Sequence, residues 1–222
     1  MLKNMEKSQR ARELFNKGLK EKDLNKQIAY FKHVIKLCPK FAPYSYYNIG
    51  LAYMKLWGIY HEENRGYQKI KLIDKAIKNY KKAKIADVNF RLGQAHFYKQ
   101  YTEYGASLPA ISLDGKKAKP PLCKKKVVIK YDKALKYFKK AIKQNPKNAD
   151  AYFYLGEIYH WIFNLDKAIK YLKKAIKLKP AHKEARKRLD EIYLVKSDLE
   201  EDYRPLAKNH KTPEKPKKKL DT

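Results

Sequence analysis

Two stretches of the chain are near copies of one another: KALKYFKKAIKQNP at 133–146 and KAIKYLKKAIKLKP at 167–180, 34 positions apart. A period of this length constrains the fold more than composition does. One unit of that size cannot bury its own apolar face, so copies must stack to enclose a continuous core. In the later stretch Ala168, Ile169, Leu172, Ala175, Ile176 and Leu178 recur at helical spacing, while Lys170, Lys173, Lys174 and Lys177 fill the opposite side. Pro180 stops that helix, since its ring removes an N–H and disfavours helix at the residue before it. Upstream, DAYFYLGEIYHW (150–161) is a second helical stretch, joined by the turn FNLD. The unit is therefore a pair of short antiparallel helices.

Within this unit Tyr152, Leu155, Gly156, Tyr159, Ala168, Leu172, Ala175 and Pro180 resemble the eight signature places of the tetratricopeptide repeat in residue type, spacing and period. The resemblance implies an all-α, right-handed superhelical solenoid of about four helix pairs with a C-terminal capping helix. Its copies fall at about 8–41, 43–86, 87–148 and 149–182, the cap at 183–203. The first copy keeps Leu14, Phe31 and Pro39, but has Phe15 where the small residue belongs and Gln27 where Ala belongs. The second has Gly50 in YYNIGLAY and an excess of about 14 residues that keep helical spacing around the breaker NRG at 64–66. Two helices, each about two turns longer than usual, are expected there. The third opens on FRLGQAHF with Gly93, and its connection at 105–126, rich in Gly, Pro and Lys, is placed outside the core. Ala185, Leu189, Ile192, Val195 and Leu199 make the stripe of the capping helix, and 204–222 reads as a basic disordered tail.

Composition narrows the function. The hydrophobic fraction of 44% supplies a core, yet no apolar run reaches the roughly 18 residues that a membrane helix needs. The N-terminal residues lack the apolar segment of a secretory signal, so a cytoplasmic setting is expected. Cys38 and Cys123 have neither C-x-x-C spacing nor a neighbouring His pair. No phosphate loop, metal-binding helix or nucleophile elbow occurs, and the six His are scattered over different copies. No enzyme activity, cofactor, metal or small-molecule substrate is expected.

What the implied fold offers is a surface. First helices of successive pairs form a concave wall, onto which Arg12, Asn16, Leu19, Tyr44, Tyr47, Asn48, Leu51, Phe90, Arg91, Gln94, Asp150, Phe153 and Glu157 project. Tyr47, Phe90 and Phe153 hold one register, either as a ladder for a partner's side chains or as packing between neighbouring copies. Some tetratricopeptide domains grip a partner's C-terminal carboxylate with Lys and Asn, then Asn, then Lys and Arg. Arg12, Asn16, Asn48 and Arg91 fall on four of those places, while Asp87 stands where the second Lys belongs and would repel the carboxylate. The set is a clamp or an ordinary polar groove.

The net charge is +30, carried by 46 Lys and 7 Arg, a diffuse charge without the planar fork that reads sequence. A protein or peptide partner, acidic or with a free C-terminal carboxylate, is the first expectation. The alternative is a polyanion, RNA or an anionic membrane surface, met by the outward Lys rows together with Lys116, Lys117, Lys119, Lys124, Lys125 and Lys126 of the long connection and Lys217, Lys218 and Lys219 of the tail.

Overall fold

Asn164 starts the lysine-rich helix of the fourth copy, its side-chain oxygen accepting from the Lys167 amide, and Ala168, Leu172 and Ala175 at the centre of its apolar stripe are fully buried. The same logic of cap and stripe runs through the computed structural model, which describes residues 2–60, 66–107 and 130–209. They form α1 (Leu2–Lys20), α2 (Leu24–Leu37), α3 (Ala42–Tyr60), α4 (Gly66–Ala83), α5 (Val88–Ser107), α6 (Asp132–Gln144), α7 (Ala149–Trp161), α8 (Leu165–Leu178) and α9 (Lys183–Asn209), with a short 3₁₀ turn at Pro39–Phe41. No strand occurs among the described residues. Each helix packs chiefly on its sequence neighbours, the quasi-linear arrangement of an all-α solenoid of four pairs and a cap. In addition α5 touches α7 and α7 touches α9, so these first helices and the cap share one wall.

The pairs cross closely at one small residue each. A Cβ on Gly50 would stand 2.5 Å from the Tyr80 ring, and one on Gly156 would stand 2.7 Å from Leu172. In the first pair the small residue has moved by one turn. Phe15 packs edge-on against Phe31 at 5.3 Å, and Gly18 makes the close approach to Phe31 instead. The mismatch expected at Phe15 is thus a displacement of the contact rather than its loss. Gln27, in the place of Ala, is buried and donates its amide to the Glu21 carbonyl at 3.3 Å.

Several expected boundaries shift. With 19 residues against 13 in α7, α3 is longer by close to two turns, whereas α4, with 18 against 14 in α8, gains about one. Helix α1 begins at Leu2, ahead of the expected start, and α5 runs three residues into the expected connection. Helix α9 continues to Asn209, so 204–209 is helical where a disordered tail was expected. Leu206, Ala207 and Lys208 are good helix formers even without an apolar stripe to announce them. The remainder of the connection, 108–126, and of the tail, 210–222, lies outside the described residues.

Candidate functional site

The wall shared by α5, α7 and the start of α9 is hollowed into an open groove of about 820 Å³. Trp57 of α3, Tyr98 and Tyr101 of α5, Phe153 and Trp161 of α7, and Arg188 of α9 are among its lining residues. Tyr101 and Trp161 meet edge to face at 5.7 Å and 74°, and both keep more than a third of their surface in water. Trp57 packs on Tyr98 at 4.7 Å.

Below these rings one chain of hydrogen bonds crosses three repeats. The Tyr47 hydroxyl donates to Asp87 at 3.3 Å and accepts from Arg91 Nε at 3.1 Å. Arg91 also donates to Gln94 at 2.9 Å, Gln94 donates to the Tyr154 hydroxyl at 3.1 Å, and Tyr154 shares a 2.8 Å bond with Tyr98. Burial, reinforced by the neighbouring Tyr98, pushes the Tyr154 phenol far above the usual tyrosine range, so it stays a neutral hydrogen-bonding group.

A second network closes the C-terminal side. Glu157, almost fully buried, accepts two hydrogen bonds from Arg188 at 2.6 and 3.2 Å, and Arg188 reaches Glu191 at 2.6 Å. This bidentate pair ties α7 to the cap. Beside it His182 accepts from the Ala185 amide at 3.3 Å, capping α9, while its other ring nitrogen lies 3.4 Å from Asp150.

The structure brings Tyr47, Arg91, Gln94, Asp150, Phe153 and Glu157 of the expected wall into these networks or onto the groove. It separates the rest. Phe90 is buried against Phe138 and Tyr154, at 6.0 Å from each ring, so its register is occupied by packing between pairs. Leu51 packs against the core of the second and third pairs. Arg12 and Asn16 are exposed on α1, and Leu19 borders a separate hollow with Ile59. Tyr44 is exposed, and its carbonyl accepts the Asn48 amide at 2.8 Å. Of the four clamp positions, Asn48 and Arg91 are already engaged within the chain. The lysines of the connection and tail, Lys116 to Lys126 and Lys217 to Lys219, fall outside the described residues.

Residues that the sequence did not single out carry much of the groove: Trp57, Tyr98, Tyr101, Trp161 and Arg188. Tyr98 and Tyr101 follow Gln94 at helical spacing, a signal that could have found them. Arg188 belongs to the cap and has no repeat register to mark it.

Comparison with known proteins agrees with the helical fold. A crystal structure of MamA aligns at 22% identity over 82% of this chain and 84% of that one, with a TM-score of 0.55. The 41-to-end portion of MamA from Desulfovibrio magneticus RS-1 aligns at 17% identity over 91% and 92%, also at 0.55. A thermophilic TPR protein of Thermus thermophilus aligns at 21% identity over 89% of each chain, at 0.53. The fold is that of the tetratricopeptide repeat. Residues 116–199, from the long connection into the cap of this tetratricopeptide solenoid, match the family model described as Regulator of microtubule dynamics protein 1-3. No curated protein matches the chain. Among the described residues no helix of the solenoid is long and apolar enough to cross a membrane, and no three His, Cys, Asp or Glu gather as metal ligands.

Proposed function

We propose that this tetratricopeptide solenoid is a non-catalytic protein-interaction scaffold that holds a peptide segment in the α5–α7–α9 groove. The observation that carries the reading is the water-exposed Tyr101–Trp161 pair on the wall of a groove already wide enough for side chains. Large rigid rings beside a satisfied polar floor are the residues on which binding energy concentrates.

Charge refines the partner. Despite the net charge of +30, the groove lining sets Asp150, Glu157 and Glu184 against Lys179 and Arg188. A segment of mixed charge with an apolar or aromatic anchor suits it better than a uniformly acidic one. Recognition of a free C-terminus through Asn48 and Arg91 requires both to leave their present partners, so amidated and free peptides should bind alike.

A peptide library displayed against the full chain tests the reading. Selected peptides should lose about tenfold in affinity or more on Trp161→Ala, and similarly on Tyr101→Ala. Peptides that bind both variants as well as the parent chain would place recognition elsewhere.

A further inference from the structure

We propose that the outer face of the fourth pair binds single-stranded RNA, its bases received at Tyr152 and Tyr171 and its phosphates by Lys170, Lys173, Lys174 and Lys177. These six residues line a hollow of about 370 Å³ on α7 and α8, apart from the inner groove, and none of them is acidic.

The two rings are 6.4 Å apart and tilted by 33°, and Tyr171 is also stacked on Tyr159 at 5.3 Å and 3°, which fixes its plane. Both tyrosines are only partly exposed, so they form a recess rather than a projection. A flat base can enter a recess and stack, whereas a bilayer is held by apolar side chains that protrude into it. Around the recess the four lysines are exposed and form no ion pair among the described residues. The second helix of the preceding pair continues the same chemistry, with Lys133, Lys136, Lys139, Lys140 and Lys143 exposed along the thirteen residues of α6.

The combination selects the occupant. Lysines without counter-charge attract a polyanion through counterion release, and aromatic faces add stacking with bases of any identity. An acidic peptide would use the charge and leave the rings unused. The absence of Arg from the hollow argues for contact with phosphate as point charges and against reading of a particular sequence.

The test is a titration of the full chain with a fluorescein-labelled uridine oligomer at several salt concentrations. Polyglutamate, an abasic strand of equal length and phosphatidylserine vesicles serve as competing probes. The uridine strand should bind about tenfold more tightly than the abasic strand, and Tyr152→Ala should remove that advantage. In the K170Q/K174Q/K177Q variant the slope of log K against log salt should flatten by about 2. Because those three lysines are exposed, this variant keeps the test valid even if Tyr152→Ala unfolds. Equal binding of the abasic strand, polyglutamate or vesicles would overturn the proposal, as would an unchanged slope in the lysine variant. Trp161→Ala should leave RNA binding as it is.

Discussion

Gly93 lies under the ring of Phe138, so close that a Cβ at position 93 would stand 2.7 Å from two of its carbons. Phe138 is fully buried and cannot swing away. Gly93→Ala should therefore lower stability by about 1–3 kcal/mol through overpacking, despite the helix propensity that Ala adds. Gly58 on α3 supplies the control, since nothing lies within 4 Å of a Cβ there. Gly58→Ala should raise stability by about 0.5–1 kcal/mol. Urea unfolding of both variants should return opposite signs.

The Glu157–Arg188 pair fastens the cap. Arg188→Ala would leave a nearly buried carboxylate without its partner, at a cost of about 2–3 kcal/mol. Adding Glu157→Gln should recover part of that loss. Hydrogen exchange should show faster opening of α9 in the single variant than in the double.

At the turn from α7 to α8, Phe163 has φ of 61°, in the left-handed region that favours Gly or Asn. Its amide donates to the His160 carbonyl and that of Asn164 to the Tyr159 carbonyl, the paired bonds that close a helix C-terminus. The side chain is 67% exposed, so little packing rewards the strain. Phe163→Asn should raise stability by about 0.5–1 kcal/mol, visible as a higher melting temperature.

His96 is stacked on Tyr137 at 5.4 Å and 4°. Burial, then the nearby charges of Lys133, Lys81 and Lys99, lower its pKa to about 4. A group that protonates less readily when folded makes the unfolded chain bind more protons between pH 6.5 and about 4. Its stabilising contribution is therefore present above pH 6.5 and lost as pH falls through that window. After discounting for water at the half-buried ring, about 1 kcal/mol should disappear between pH 7 and pH 5. His96→Gln should flatten that part of the stability profile.

The fold was legible because it is written in a period: Gly50, Gly93 and Gly156 repeat the same contact, and the stripes of α6 and α8 repeat the same helix. The groove was less so. Projection from the repeat placed Phe90 on the wall, but register does not say whether a ring faces solvent or the next pair, and Phe138 and Tyr154 enclose it. Arg188 and Trp161 were invisible because one sits in the unrepeated cap and the other at a helix end, where spacing carries no signature. In Gly18 a one-turn displacement hid the close contact of the first pair from a reading that looked at Phe15.

The hydrogen-bond chain from Asp87 through Tyr47, Arg91, Gln94 and Tyr154 to Tyr98 has a consequence for how fast a partner leaves. These side chains give up their rotational freedom when the protein folds, not when something binds, so little ordering remains to oppose association. A segment that settles over such a stiff floor should dissociate slowly for its size, and loosening the floor at Tyr154 should shorten its stay.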